Sequence, residues 1–476
     1  MPNKKSFYIT TTLPYVNAEP HIGFALEIVK ADVIARWHRL KDEEVFFNTG
    51  VDEHGLKIYR KAQELGLEPQ AYCDQMAAKF ADLKAALNLS YNSFRRTTDA
   101  EHLQAAQAFW QICQAKGDIY KKNYQIKYCV GCELEKTDSE LVNGCCPLHP
   151  DQPLELINEE NYFFKFSNYQ QPLLDFYNKQ LEFVLPATRL NEIKKFVERG
   201  LEDFSISRLK TKMPWGVNVP GDDSQVMYVW FDALINYISC LSWPGGDDFK
   251  KYWPGMQICG KDNLRQQSAM WQAMLMSAGL PNSTQVLVNG FITVDGQKMS
   301  KSLGNVVNPL ALVEQYGTDA VRYYLLAEMN PFEDSDFSQD KLAARYLADL
   351  ANGLGNLSSR IANLVEKNDL EIDLEVPGKA QMEQRFKDKL DKFLFNEALD
   401  VIWHELRQAD ADLSREQPWK MTDREAIKKC LEPMVVLIRQ VSVLLEPIMP
   451  ATAAKLSAQF NQTKIKKGDP LFPRLA

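Results

Sequence analysis

The order of apolar and polar positions predicts a chain that changes character three times. Phe7–Leu13 is β-branched and threonine-rich and reads as a strand, broken at Pro14 and Asn17. Pro20 then opens a helix running to about Leu40, with Ile22, Leu26, Val29, Ile34 and Trp37 as its apolar face. A second strand, Glu44–Thr49, ends at Gly50. Helices follow from Leu56 to Ala86, and another begins at Thr98, where Thr98-x-x-Glu101 fits a capping box. Alternating strands and helices predict a parallel α/β sheet, whose ligands bind at the carboxyl ends of the strands. Pro14–His21 and Gly50–Gly55 fall there. From Ile119 to Pro220 the pattern turns to short extended pieces rich in aromatics, which reads as an insertion. Alternation resumes at Gln225 and continues through Val286–Val294. Beyond Phe332 the chain is almost wholly helical, with the 3.6-residue period clearest in Phe386–Leu413 and Glu425–Leu445.

At 476 residues and 45% hydrophobic content, about three domains are expected, each with its own core. The most apolar windows, Val226–Trp243 and Met434–Met449, contain Asp232, Asn236, Arg439 and Glu446, so no membrane span is expected. The start, MPNKKSFYITTTL, lacks the apolar core and cleavage site of a secretion signal, and a cytoplasmic protein is expected. With 55 basic and 63 acidic residues the net charge is −8. That excludes a uniformly basic coat for nucleic acid but leaves room for a local groove. Four of the nine cysteines cluster as Cys129, Cys132, Cys145 and Cys146, which favours metal over disulfides.

Three motifs carry chemistry. His21-Ile22-Gly23-Phe24 sits at a helix start, where unpaired N–H groups suit a phosphate. The histidine can donate to a phosphoryl oxygen, and the glycine lets a purine approach the backbone. Lys298-Met299-Ser300-Lys301-Ser302 follows an Asp295-Gly296 turn, and its lysines can neutralise a leaving pyrophosphate. Cys129-x₂-Cys132 and Cys146-x₂-His149 offer three thiolates and an imidazole for one tetrahedral zinc, with Gly131 and Gly144 permitting the knuckle turns. Cys145 is the rival third thiolate; Cys146 is preferred because it keeps the two-residue spacing to His149. A closed shell of four ligands leaves no place for water, so the zinc is expected to be structural.

An early HIGH-like motif, a distant KMSKS motif and a helical C-terminus resemble a class I aminoacyl-tRNA synthetase. More closely, the chain resembles the methionyl-tRNA synthetase family. Further carriers are Thr12–Tyr15, Gly50-Val51-Asp52-Glu53-His54-Gly55, Tyr228–Ala233, Gly260-Lys261-Asp262 and Gly317–Tyr324. The resemblance implies a Rossmann-like parallel-sheet catalytic domain split by a zinc-binding insertion, followed by an all-α anticodon-binding bundle. The implied segments are 1–118 and 221–298 for the catalytic halves, 119–220 for the insertion, 299–340 for the KMSKS loop and stem contacts, and 341–476 for the bundle. It implies catalytic roles for His21, Gly23, Lys298 and Lys301, and ATP contacts from His21, Gly23, Gly260, Asp262 and Lys301. Asp52 would take the methionine ammonium, with Leu13, Tyr15, Trp230, Ala233 and Tyr237 around the side chain. Trp230, Ala233 and Tyr237 are spaced to share one helical face. Asn356, Arg360 and Trp419 would read the anticodon. The implied substrates are ATP with Mg²⁺, L-methionine and tRNA(Met), including the initiator, acting on a monomer.

The chain departs from the family pattern at four positions. Phe24 stands where a second histidine is expected, which removes a phosphate donor worth about 10²–10³ in rate. Gln266 and Gln267 stand where Phe-His is expected, and Gln257 replaces another histidine. The rival readings are a class I synthetase for another amino acid, a small-molecule adenylyltransferase, and a tRNA-binding protein without catalysis.

Overall fold

Six parallel strands run in the order Ser93–Arg96, Glu44–Val51, Ser6–Thr11, Met256–Gly260, Gln285–Asn289 and Val184–Leu185. This sheet belongs to a computed structural model that describes residues 4–136, 138–299, 304–375 and 378–475. It anchors the first of two units, built from the residues up to Pro20, His38–Asp82 and Ser90–Asn289. The four central strands are buried along most of their length, as parallel strands generally are. Toward their carboxyl ends polar side chains enter and find partners. Asn48 Nδ2 donates to Thr10 Oγ1 at 3.1 Å and to Asn236 Oδ1 at 2.9 Å, and the Thr11 and Thr49 hydroxyls meet at 2.8 Å. Unpaired, each such group would cost roughly 1–3 kcal/mol to bury. This end of the sheet is therefore organised for polar contacts.

The segment read as an insertion differs from expectation in two ways. Its core is a long antiparallel ribbon rather than short pieces: Ile119–Cys129 pairs with Glu155–Phe164, in register from Ile119 opposite Phe164 to Tyr128 opposite Glu155. Val184–Leu185, inside the same stretch, is the edge strand of the parallel sheet, held by Val286 and Leu287. Two residues are too few to show a period. The ribbon carries Cys129 to its tip, where Leu134–Lys136 folds back against it.

Two local expectations are corrected. The helix Ala100–Ala115 starts after Asp99, and the Thr98 hydroxyl donates to the Glu53 carboxylate instead of capping. The stretch bearing Trp230, Ala233 and Tyr237 is two short helices, Val229–Ala233 and Asn236–Ser239, broken between them.

The second unit comprises His21–Trp37, Leu83–Leu89 and the chain from Gly290. It holds a three-stranded sheet of Gln297–Lys298, Ile292–Val294 and Ser335–Phe337, and a series of helices. In Phe395–Glu416 the buried Phe395, Leu399, Ile402, Leu406, Ala409 and Leu413 recur at alternating spacings of four and three, which is the stripe that the sequence pattern predicts. Arg424–Leu444 does the same through Ile427, Leu431, Met434, Ile438 and Val441. At the heart of this unit Arg322 is fully buried. Its guanidinium meets Asp32 Oδ2 at 2.8 Å and donates to the carbonyls of Leu87, Pro447 and Ile448 at 2.8–2.9 Å. Among the described residues no helix is long and apolar enough to cross a membrane.

Candidate functional site

The loop after strand Ser6–Thr11 is stitched to the end of the neighbouring strand by main chain. Asp52 N–H donates to the Pro14 carbonyl at 2.9 Å, and Val16 N–H donates to the Asp52 carbonyl at 3.2 Å. This places Tyr15 beside Asp52. The Tyr15 ring stands edge-on to Trp230 with centroids 6.1 Å apart. Its hydroxyl is buried without a hydrogen-bond partner among the described residues, and burial keeps it protonated by pushing its pKa well above the ordinary value. A buried donor left unmatched is costly and is the kind of group a ligand satisfies. Leu13, Ala233 and Tyr237 are buried in the same unit.

Two buried aspartates nearby behave in opposite ways. Asp232 accepts from His54 Nδ1 at 2.6 Å and from His102 Nε2 at 2.7 Å. Burial pushes its carboxyl up, but the two histidines outweigh that and hold it at about 2. Among the described residues the Asp52 carboxyl has only long hydrogen bonds, from His54 N–H at 3.3 Å and the Thr97 hydroxyl at 3.5 Å. Burial, and next the negative charge of Asp232, raise its pKa well above the usual carboxylate range. Asp232 is thus already matched, whereas Asp52 is a carboxyl suited to an incoming cation. His102, far from any motif, gave no signal in the sequence.

The four residues expected to hold a metal converge. Cys129, Cys132, Cys146 and His149 bring their ligand atoms within 4.8 Å of one another. Cys132 Sγ lies 3.4 Å from Cys146 Sγ and 3.2 Å from His149 Nδ1, which itself lies 3.7 Å from Cys129 Sγ. Tetrahedral zinc with ordinary bond lengths separates its ligand atoms by roughly 3.5–3.8 Å, so the donor set fits. Cys145 is outside the group and pairs its backbone with Val142. Gly131 is required here, because a Cβ would lie 2.5 Å from the His149 ring.

Glu133, which the sequence reading missed, links this knuckle to Trp230. It follows Cys132 in a left-handed backbone conformation, with φ of 52°, and is fully buried. Its carboxylate accepts from Lys57 N–H at 2.8 Å, at the start of helix Leu56–Glu64, and from the Tyr128 hydroxyl. Its carbonyl accepts from Trp230 Nε1 at 3.2 Å and from the Tyr228 hydroxyl. The Trp230 indole is therefore held by the main chain of the knuckle. Gly260 ends strand Met256–Gly260, opposite Asn289, and Asp262 is exposed in the turn that follows.

In the second unit His21 is exposed at the start of helix Ile22–Leu40, and its Nδ1 accepts from Gly23 N–H at 3.1 Å. A neutral imidazole accepting at Nδ1 carries its proton on Nε2, and so presents a donor there. A Cβ at Gly23 would lie 2.9 Å from the His21 ring and displace it. Phe24 is buried and adds no polar atom. Lys298 lies on a strand, its backbone opposite Thr293; Lys301 lies outside the described residues. Trp419 is 48% exposed, unusual for an indole, and the Arg360 guanidinium sits 5.7 Å from its ring centroid while bonding Asp410 at 2.5 Å. Asn356 is exposed one turn before Arg360, on the helix Asn356–Lys367.

The sequence model of the family described as tRNA synthetases class I (M) matches residues 7–152 and 140–362. A methionine–tRNA ligase of Thermosynechococcus vestitus is 42% identical over 96% of this chain and 90% of its own length. One from Caldanaerobacter subterraneus is 39% identical over 99% of this chain and 79% of its own. The chain belongs to the methionyl-tRNA synthetase family. Among solved structures, Mycobacterium tuberculosis methionyl-tRNA synthetase in complex with methionyl-adenylate superposes with a TM-score of 0.92. The match has 36% identity and covers 99% of this chain and 100% of that one. Against this family the departures take on structure: Gln257, Gln266 and Gln267 are all buried in the first unit, and the first and last are hydrogen-bonded to each other.

Proposed function

We propose that the protein activates L-methionine with ATP and transfers it to the 3′ end of tRNA(Met). In the first step a methionine carboxylate oxygen attacks the α-phosphorus in line. The bond to the bridging oxygen breaks and pyrophosphate leaves with its electron pair. In the second, a terminal ribose hydroxyl attacks the adenylate's carbonyl carbon and AMP departs. The observation that carries this reading is Asp52: a buried, poorly matched carboxyl beside Tyr15 and Trp230, suited to an α-ammonium. Tyr15, Leu13, Trp230, Ala233 and Tyr237 supply an apolar, polarizable enclosure for a thioether. His21 Nε2–H would donate to a phosphate oxygen, and Gly23 would leave room for the purine. Gly260 and Asp262 would contact adenosine and its ribose, while Lys298 and Lys301 would neutralise the leaving pyrophosphate. Mg²⁺ is expected with the phosphates. The test is amino-acid-dependent ATP–pyrophosphate exchange with all twenty amino acids. Methionine is expected to support exchange, and robust exchange with another residue alone would contradict the reading.

The exposed Trp419 beside Arg360 supports a base-stacking role on the anticodon, since an aromatic face is worth roughly 1–3 kcal/mol per stacked base. Trp419→Ala is expected to raise the KM for tRNA about tenfold in aminoacylation and to leave pyrophosphate exchange unchanged. A matching fall in exchange would argue against the assignment.

The donor set at Cys129, Cys132, Cys146 and His149 suits zinc, which when bound supplies a rigid tetrahedral cross-link. Because Glu133 holds the Trp230 indole, removing the metal should loosen the pocket. Chelation is expected to release one equivalent per chain, shift tryptophan fluorescence, and raise the methionine KM more than it lowers kcat. Unchanged fluorescence and KM after complete release would disconnect the knuckle from the pocket.

A further inference from the structure

The buried face of helix Ala100–Ala115 runs through His102, Ala105, Ala106, Phe109, Trp110 and Cys113, an apolar stripe at helical spacing with one polar member. A histidine in such a slot is costly unless its ring nitrogens find partners. Both do. His102 Nε2 donates to Asp232 Oδ1 at 2.7 Å, and the Ser239 hydroxyl lies 2.9 Å from Nδ1. The ring and both partners are buried. His102 therefore ties its helix to the two short helices Val229–Ala233 and Asn236–Ser239.

The other Asp232 oxygen leads to the Asp52 loop. It accepts from His54 Nδ1 at 2.6 Å, and the main-chain N–H of the same His54 stands 3.3 Å from Asp52 Oδ1. Between the two, Glu53 is pinned by its backbone. Its N–H donates to Thr97 Oγ1 at 2.9 Å, and its carbonyl accepts from Trp215 Nε1 at 2.5 Å. The loop is thus held at Asp52 by main chain, at Glu53 by two side chains, and at His54 through Asp232 by His102. Asp232 is also close enough that its charge is, after burial, the largest influence raising the Asp52 carboxyl.

We infer that His102 is a positioning residue for the amino-acid ammonium: by completing the clamp on Asp232 it fixes His54, and with it the N–H that orients the Asp52 carboxylate. The inference rests on the reading of Asp52 as the ammonium's partner. Two effects act together. The first is geometric, because a carboxylate gripped by one imidazole can turn, whereas one gripped on both oxygens cannot. The second is electrostatic. With an imidazole N–H on each oxygen, the Asp232 charge is compensated where it sits, and Asp52 is left as the carboxylate in need of a cation. Without His102 a second, poorly compensated anion would stand beside Asp52, and neighbouring carboxylates of that kind hold a proton between them. A protonated Asp52 gives the ammonium nothing to pair with.

The test measures inhibition of pyrophosphate exchange by L-methioninol and by the same alcohol lacking its amino group. The ratio of the two inhibition constants reports the ammonium contact apart from the rest of the pocket. His102→Leu is expected to lower the ratio about tenfold and to raise the methionine KM, with kcat changed less than about twofold. His102→Gln, whose Nε2 can donate to Asp232, is expected to keep the ratio within about threefold of the starting protein. Should His102→Leu fail to fold, Ser239→Ala serves, with an expected fall of about threefold, since it releases one side of the ring. Equal weakening of both alcohols would reduce His102 to a packing residue and overturn the inference. Asp52→Asn is the reference and is expected to collapse the ratio. A ratio lowered by Asp52→Asn but by neither the His102 nor the Ser239 variants would overturn the inference alone. A ratio unchanged by Asp52→Asn would overturn the ammonium reading along with it.

Discussion

Asp52→Asn is expected to raise the KM for methionine by about a hundredfold or more in pyrophosphate exchange, and at the same time to stabilise the fold. The two effects have one origin. Burial and the neighbouring charge of Asp232 raise the Asp52 pKa, and the nearest donors are 3.3 and 3.5 Å away. A carboxyl whose folded pKa is raised contributes stability that is complete below its unfolded value, near 3.9, and is lost as pH rises through the folded value. Above that raised value the folded protein carries an ill-matched charge, which asparagine removes. The ligand dependence has the opposite sense. An α-ammonium needs the carboxylate, so methionine affinity in the unaltered protein falls as pH drops through that raised value. Exchange kinetics against pH, with thermal unfolding of both proteins at pH 7.5, check the whole argument. A lower unfolding temperature together with an unchanged KM would show Asp52 to be a structural residue. Asp232 predicts the reverse stability behaviour, because its depressed pKa supplies stability above about 3.9 that is lost as pH falls toward about 2.

The second large effect is expected within the second unit. Arg322→Met should destabilise the second unit by about 3–5 kcal/mol, the usual cost of breaking one side of a buried ion pair. Asp32 would lose the guanidinium that meets its Oδ2 at 2.8 Å, and the carbonyls of Leu87, Pro447 and Ile448 would lose their donors. Arg322→Lys should recover only part of this, because one ammonium cannot reach four acceptors spread around a planar fork. Denaturant unfolding followed by circular dichroism, which weights this helical unit, reads the loss. A change below about 1 kcal/mol would mean that water or a rearranged carbonyl takes over the arginine's role. Within the Gly317–Tyr324 stretch Arg322 is thus a structural member, not a chemical one.

Several of these features were legible in the sequence, and they share a property. The Cys129-x₂-Cys132 and Cys146-x₂-His149 pairs, the apolar stripes of Phe395–Glu416 and Arg424–Leu444, and the His21–Gly23 helix start depend on spacings of a few residues. Spacing within one turn or one knuckle is a property of the chain itself, so residue type and period sufficed to name it. The capping box at Thr98 shows the limit even there. Its residues fit the pattern, but the Thr98 hydroxyl found a better acceptor in Glu53, 45 positions away. The continuous helix expected for Trp230–Tyr237 was likewise interrupted.

By itself the sequence determined what local spacing and period carry: the motifs of the family, the Cys-x₂-Cys and Cys-x₂-His pairs that converge, the alternation that builds a parallel sheet, and the helical end of the chain. Tertiary structure alone decided which of those residues are poised and which are satisfied. Asp52 and Asp232 are both acids in motifs, yet only folding brings His54 and His102 to Asp232 and leaves Asp52 under-matched. Glu133 became the partner of the Trp230 indole because the ribbon carries it there, 97 positions along the chain. Gln257 and Gln267 became part of one hydrogen-bonded chain only when folding brought Gln272 and Ser283 to them. The physical reason is common to all three. A buried polar group is defined by who completes its hydrogen bonds, and those partners are chosen by packing across the fold rather than by neighbours along the chain.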